Sequence, residues 1–337
     1  MKAVVVGTRA ELLRLAPVLS RMKSYCLILT GQNTVNLQGL ARPTETVEIN
    51  GFGGTTSILK GCWEFLSVRL QLRREIARLK PDAVLYQGDT ISALLAAMAA
   101  RKEGVKGIHI EAGFRSMNIW QPFPEELARR GADSRSDILF APSGRALANL
   151  KSNRGEKHLS GSTVWDNVLQ FLPNFTPMRK RFVVMTAHRY ENILVKSRLR
   201  RLVEIANLPR MPLFWPMHEM TKLRMKRMGV WPQVEALGIS EMVDYEEFLR
   251  RVSECSYVIT DGGALEEEAS ILRKRCVLLR NVTERPELAS TLVGLNKTSA
   301  KTAIEEADSS DSDLPKAPHP YFFGRSPSEI ISEIVRD

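Results

Sequence analysis

The stretch from Val258 to Glu287 limits what the rest of the chain can become. Tyr257, Val258, Ile259 and Thr260 form a short apolar run, and Asp261-Gly262-Gly263 breaks it. Ala264 to Leu272 then has helical composition, and Cys276 to Leu279 is apolar again. That order predicts strand, turn, helix, strand. Glycines between a buried strand and a helix let backbone N–H groups approach an anion, and the helix N-terminus adds partial positive charge for a phosphate. Glu266, Glu267 and Glu268 stand at successive angles on the first helical turn. One of them can face a sugar or ribose hydroxyl; equally, all three can complement the helix dipole from a solvated face. The run ends in Thr283-Glu284-Arg285-Pro286-Glu287, whose arginine suits a planar or phosphate partner.

The same alternation runs through the chain. Ala3 to Val6 is an apolar strand ending in Gly7-Thr8-Arg9, followed by a helical pattern from Glu11 to Met22 and a strand from Leu27 to Thr30. Open α/β sheets bind ligands at such carboxyl ends. Arg9 and Arg14 lie just beyond the turn; each can touch phosphate or sit as a solvated helix charge. A long helical run covers Ser57 to Leu79. Strand Ala83 to Tyr86 ends in Gln87-Gly88-Asp89-Thr90, and strand Gly107 to Ile110 ends in Glu111-Ala112-Gly113. Asp89 and Glu111 thus end consecutive strands. One such carboxylate is an ordinary helix cap; two at equivalent ends point to a shared crevice. Glu125-Glu126 opens a helix after Pro124, which also suits a simple dipole match.

Pro173 to Pro177 reads as a linker, after which the alternation restarts. Strand Phe182 to Met185 runs into Thr186-Ala187-His188-Arg189, and strand Leu213 to Trp215 into Pro216-Met217-His218. Phe248 falls in a short helix. Histidines at two strand ends, among carboxylates and arginines, suit proton transfer through their near-neutral pKa. The fold class is therefore α/β, with two similar halves. The first spans 1–172 and the second 178–320, and a terminal helix lies at about 326–337.

The 337 residues suffice for two domains. Lys plus Arg number 48 against 38 acidic residues, but this charge of +10 is scattered, without a basic tail or an aromatic–basic ladder, so nucleic acid is not an expected partner. The four cysteines, Cys26, Cys62, Cys255 and Cys276, form no CxxC pair and no metal-ligand spacing, as for thiols in a reducing compartment. MKAVVVG starts a strand rather than a signal peptide, and the apolar run Ile91 to Ala100 is too short to span a bilayer. A cytoplasmic protein without membrane or metal is expected. No GxxxxGK[ST], GxGxxG with an acidic partner, or GxSxG is present, so ATP-driven, nicotinamide-dependent and serine-hydrolase chemistry have no motif.

Together these stretches resemble the non-hydrolysing UDP-N-acetylglucosamine 2-epimerases. The family signature TDSGG-x-QEEA…R-x-x-TERPE is similar to TDGGALEEEA at 260–269 and TERPE at 283–287. The resemblance continues in the family's order through GTRAELLRLAP at 7–17, TGQ at 30–32, QGDT at 87–90, HIEAGFRS at 109–116, PFPEE at 122–126, FAPS at 140–143, GSTVWDNV at 161–168, TAHRYEN at 186–192 and PMH at 216–218.

The resemblance implies a GT-B-like pair of Rossmann-like domains with parallel sheets facing a central cleft, the terminal helix returning to the first domain. It maps catalytic roles onto Asp89, Glu111, Glu125 and His188. Nucleotide-sugar contacts map onto Arg9, Arg14 (a lysine in many relatives), His218, Phe248, the turn Gly262-Gly263-Ala264, Glu268 and Arg285. The implied reaction is reversible C2 epimerisation of UDP-GlcNAc to UDP-ManNAc, feeding surface polysaccharide or glycan synthesis. UDP leaves in an anti elimination and re-adds to 2-acetamidoglucal, with no cofactor, in a homodimer. The chemistry needs a base, a proton donor on the other face and cations for the departing diphosphate.

Some positions depart from the family. Its Ser-Gly-Gly is Gly262-Gly263-Ala264, Ala10 replaces a proline and Val243 a glutamine. Asn33 replaces the histidine of TGQH, a region linked to allosteric activation in bacterial relatives, and YGDG becomes Tyr321-Phe322-Phe323-Gly324. A hydrolysing epimerase that releases ManNAc and UDP would share every motif. A GT-B glycosyltransferase or a non-catalytic UDP-sugar sensor would share the binding residues.

Overall fold

A computed structural model describes residues 1–31, 39–51, 58–173, 180–235, 237, 239–310 and 318–336. Gln32, Asn33, Gly53, Gly54, most of the Pro173–Pro177 linker and the end of the 309–313 acidic stretch lie outside the described residues. The chain divides into two compact units, Met1–Asn167 with Pro320–Asp337, and Val168–His319.

The first unit is built from β1 (Lys2–Val6), α1 (Arg9–Leu19), β2 (Tyr25–Leu29), β3 (Glu45–Glu48), α2 (Ile58–Leu79), β4 (Ala83–Gln87), α3 (Ile91–Lys102), β5 (Lys106–Ile110), α4 (Glu125–Asp133), β6 (Ile138–Ala141), α5 (Gly144–Asn149), β7 (Glu156–Leu159) and the start of α6 (Thr163–Phe171). Among the described residues its seven strands are all parallel, in the order β3-β2-β1-β4-β5-β6-β7. The order reverses between β1 and β4, the switch point where open sheets carry their ligands. Central strands β1, β2 and β4 are buried almost throughout and mostly apolar because helices cover both faces. On one face Val5, Val84 and Tyr86 pack with Leu72 and Ile76 of α2 and with Ala93, Ala96, Ala97 and Ala100 of α3. The alanines bring the α3 backbone close to the sheet.

The second unit contains β8 (Val183–Thr186), α7 (Tyr190–Ile193), α8 (Lys196–Ala206), β9 (Leu213–Phe214), α9 (Glu219–Arg227), α10 (Trp231–Glu235), α11 (Tyr245–Glu254), β10 (Tyr257–Thr260), α12 (Gly263–Ile271), β11 (Arg275–Leu278), β12 (Ser290–Leu292) and α13 (Lys297–Ser309). Among the described residues its five strands are also parallel, ordered β12-β11-β10-β8-β9. Two parallel-sheet Rossmann-like units in one chain are the GT-B-like class.

The last helix, α14 (Pro327–Val335), belongs to the first unit. Ile331 and Val335 enter the same apolar cluster as Leu12, Leu15 and Val18 of α1. Asp166 of α6 anchors its start, accepting the Ser328 N–H at 2.6 Å and the Ser326 hydroxyl at 2.8 Å. The two compact units divide within α6, between Asn167 and Val168. The edge strands β3, β7 and β12 and the helix α13 carry no strong sequence signal. They are short, polar or half-exposed, and β3 reads only Glu-Thr-Val-Glu.

Candidate functional site

In the first unit, the turn after β1 is already occupied. Glu11 accepts the backbone N–H groups of Gly7 at 2.9 Å and Thr8 at 2.7 Å, and its other oxygen accepts the Thr90 hydroxyl at 2.5 Å. Thr8 completes a capping box at the start of α1. An internal carboxylate therefore holds the donors that a phosphate would use there, and it stitches β1 to β4 across the switch point. Burial raises the Glu11 carboxyl above its usual value, against the lowering hydrogen bonds from Thr90, Gly7 and Thr8. Arg9 is exposed at the first position of α1, while Arg14 turns inward.

The structure brings Arg14 and Glu111 together, with Arg14 Nη1 2.8 Å from Glu111 Oε2. Gln87 Nε2 donates to the same oxygen at 3.2 Å and to Thr163 Oγ1 at 3.3 Å. Glu111 sits at φ +66°, a left-handed conformation that costs energy for a residue with a Cβ. The cost buys direction, since the backbone reverses at the strand end and aims the carboxylate back toward α1. Asp89, one residue beyond Gly88 at φ +74°, is ion-paired with Arg129.

Helix α4 separates two adjacent glutamates. Glu126 is fully buried, accepting the Ser116 N–H at 3.1 Å, Arg129 Nη1 at 3.2 Å and Arg130 Nε at 2.8 Å. Glu125, the first helical residue, is half-buried on the same turn. The family resemblance assigns its role to Glu125, and Glu126 is the residue held by these three bonds. Asp89 and Glu111 thus lie just beyond adjacent strands of one parallel sheet, and Arg14 joins Glu111 there.

The second unit centres on a residue that sequence reasoning treated only as part of a turn. Asp261 is fully buried and accepts the backbone N–H groups of His188 at 3.1 Å and Arg189 at 3.0 Å, and the Asn192 amide at 3.0 Å. Its carboxylate thereby shapes the whole 188–192 turn. It also lies 3.5 Å from His188 Nδ1. The His188 and His218 rings have centroids 6.1 Å apart. His218 Nδ1 accepts the Met220 N–H at 3.3 Å, which leaves Nε2 to carry the proton of the neutral ring. Burial, then the neighbouring His188, lowers the His218 pKa, with Glu219 opposing.

The glycine turn meets this pair. A Cβ at Gly262 would lie 3.0 Å from His188 Cε1, so the missing side chain is what lets the imidazole approach β10. The Gly262 N–H goes to Thr260 Oγ1 at 2.9 Å. The outward donors at the start of α12 are then those of its first turn, beginning with Gly263 and Ala264.

The glutamate triplet is not a solvated face. Glu266, Glu267 and Glu268 are all buried. Glu266 accepts the Thr283 hydroxyl at 3.1 Å, Glu267 accepts Arg285 Nε at 3.2 Å, and Glu268 accepts the Tyr245 hydroxyl at 2.6 Å. Tyr245 stands one helical turn before Phe248 on α11, which places Phe248 on the helix packed against α12. Arg285 is itself buried, with Nη1 2.5 Å from Glu284 Oε1, and Glu284 also holds Arg280 at 2.6 Å. Burial pushes the Glu266 carboxyl up to about 7, opposed by Arg285 and reinforced by Glu284. Among the described residues, no cluster of three or more His, Cys, Asp or Glu side chains is arranged to hold a metal ion.

Known proteins share this plan. A sequence profile described as UDP-N-acetylglucosamine 2-epimerase matches residues 64–335. The UDP-N-acetylglucosamine 2-epimerase of Methanocaldococcus jannaschii is 30% identical over 90% of this chain and 91% of its own length. A UDP-2,3-diacetamido-2,3-dideoxy-D-glucuronate 2-epimerase of Pseudomonas aeruginosa is 30% identical over 98% of each chain. The crystal structure of the M. jannaschii UDP-GlcNAc 2-epimerase with UDP-GlcNAc and UDP superposes with a TM-score of 0.86 and 27% identity, covering 100% of both chains. The motifs, the two parallel sheets and these likenesses agree, and the chain belongs to the UDP-N-acetylglucosamine 2-epimerase family.

Proposed function

We propose that this protein interconverts UDP-N-acetylglucosamine and UDP-N-acetylmannosamine at C2 without hydrolysing them. The observation that carries the reading is the pairing of Asp89 with Arg129 and of Glu111 with Arg14 at the ends of adjacent parallel strands, with Glu125 opening α4. Carboxylates on separate rigid elements suit a reaction that removes a proton from one face of a carbon and returns it to the other. The C2–H bond breaks while UDP departs from C1 in an anti elimination. The product is 2-acetamidoglucal; re-addition of UDP, with protonation of C2 from the opposite face, gives the epimer. His188, beside Asp261, serves proton transfer, and Arg285 with the first turn of α12 serves the nucleotide.

The P. aeruginosa relative motivates a second reading, the same C2 chemistry on a UDP-diacetamido-dideoxy-uronate. Proton NMR of the purified protein in heavy water separates the outcomes. Deuterium at C2 with UDP-ManNAc accumulating is the expected result. Free ManNAc marks the hydrolysing reaction, and exchange only with the diacetamido uronate marks the second reading. No exchange with either sugar overturns both.

We read the protein as a cytoplasmic homodimer. Trp63, Leu66 and Leu70 form an exposed apolar stripe on α2 at helical spacing, which suits a self-association face. Among the described residues, no helix is long and apolar enough to cross a membrane. Light scattering that reports a monomer at micromolar concentration would remove the dimer.

A further inference from the structure

Glu11 does more than close the capping box of α1. In such a box the glutamate accepts the N-cap backbone N–H. Glu11 makes that bond, with Oε2 2.7 Å from the Thr8 nitrogen. The same oxygen also accepts the Gly7 N–H at 2.9 Å and the Thr8 hydroxyl at 3.0 Å. Oε1 leaves the helix and accepts the Thr90 hydroxyl at 2.5 Å, across 79 positions of sequence. Helix capping requires neither the Gly7 bond nor the Thr90 bond. Glu11 is only 5% exposed, and desolvating a carboxylate costs more than a surface cap returns. Thr90 follows Asp89 directly and caps α3, where its Oγ1 accepts the Ala93 N–H at 3.1 Å. That hydroxyl therefore joins Glu11 on one side to the α3 backbone on the other.

One helical turn beyond Glu11, Arg14 reaches Glu111 at 2.8 Å. The start of α1 thus holds the turn after β4 through Glu11 and the turn after β5 through Arg14. Those turns carry Asp89 and Glu111, on adjacent strands. Asp89 is separately ion-paired with Arg129 of α4, so its side chain and the backbone of its turn have different anchors. We infer that Glu11 is a positioning residue for the C2 chemistry: it holds Thr90, and with it the backbone of Asp89, in register with Glu111. The role rests on the epimerase reading. Glu11 itself needs no contact with the sugar. Two reacting carboxylates must meet opposite faces of one carbon, and a small shift of one turn spoils that geometry without removing a group that binds UDP.

The test follows turnover at C2 by deuterium incorporation in heavy water, at a temperature where each variant is folded. Glu11→Ala removes a CH2–carboxylate piece, which is acetate less one hydrogen. Turnover should fall at least about tenfold, with KM and UDP affinity by calorimetry within about twofold. Added acetate should raise the variant's turnover at least about fivefold, because it returns an acceptor to the Gly7, Thr8 and Thr90 donors. Chloride at equal ionic strength should not. Thr90→Ser keeps the hydroxyl and should stay within about twofold of native turnover. Thr90→Ala should lose about as much as Glu11→Ala, and the double variant little more, whereas independent effects multiply. Native turnover in folded Glu11→Ala, multiplied losses in the double variant, or acetate that raises the melting temperature without raising turnover each overturn the role. Should Glu11→Ala fail to fold, Glu11→Gln, which trades an acceptor oxygen for a donor amide, is read for the same split and the same cycle, and native turnover there overturns the role. A wild type that exchanges C2 hydrogen in neither UDP-sugar sinks the epimerase reading and the role with it. An exchanging wild type with unaffected Glu11 variants sinks the role alone.

Discussion

Gly263 makes room for Arg285: a Cβ at position 263 would lie 2.5 Å from Arg285 Nη1 and 3.0 Å from Glu284 Oε1. The guanidinium is thus pressed against the first residue of α12, the positive end of a helix dipole. It is tolerated there because Glu267 and Glu284 balance it. Gly263→Ala should therefore displace Arg285 rather than simply stiffen the helix. A loss of about 1–3 kcal/mol in stability from overpacking is expected, with weakened UDP binding by calorimetry. Native melting temperature and native affinity together would show that the arginine moves aside freely.

Arg285→Ala should harm folding before it harms binding. Removing the cation breaks buried ion pairs with Glu267 and Glu284, Glu284 keeping Arg280, a change that typically costs about 3–5 kcal/mol. Denaturant unfolding of this variant, compared with Arg285→Lys, measures it. A fully stable Arg285→Ala protein with lost UDP affinity would make the contact purely one of ligand binding.

Among the carboxylates, the outcome should split by environment. Asp89→Asn, Glu111→Gln and Glu125→Gln should each lower turnover by about 10²–10⁴-fold with UDP affinity little changed, since each shape is preserved. Glu126→Gln should instead lower the melting temperature, because Ser116, Arg129 and Arg130 all donate to that carboxylate. Near-native turnover in two of the first three would reduce those residues to helix caps.

Glu266 gives a pH signature of opposite sign to ordinary acid lability. Its folded value of about 7 stands above the usual 4.5, so between these the folded protein holds a proton that the unfolded chain releases. The stability this contributes is fully present below about pH 4.5 and is lost as pH rises through about 7, roughly 3 kcal/mol in all. Glu266→Gln, which stays neutral, should be more stable than wild type at pH 8.5 and about equal to it at pH 5. Parallel melting curves at the two pH values would refute this.

The places of Asp89, Glu111 and His188 just beyond strands, and of Glu125 at a helix start, were legible in the sequence because each follows an apolar run or a proline that fixes an element's end. The residues that hold them were not. Asp261 reaches His188 across 73 positions, and Arg14 reaches Glu111 across 97, so no local pattern joins them. The burial of the Glu266–Glu268 triplet was not legible because its partners, Tyr245, Thr283 and Arg285, arrive from two other segments. The edge strands were hidden for a different reason. With one side open, β3 needs little apolar character, and pairing with β2 rather than composition makes it a strand.

The return of α14 to the first unit also sets an order of events during synthesis. Leu12 and Leu15 leave the ribosome some three hundred residues before Ile331 and Val335, the side chains that share their cluster. Translation usually lets the earlier domain fold first. Here the second unit is complete while the first still lacks α14, so the half of the chain that is made first is the half that finishes last.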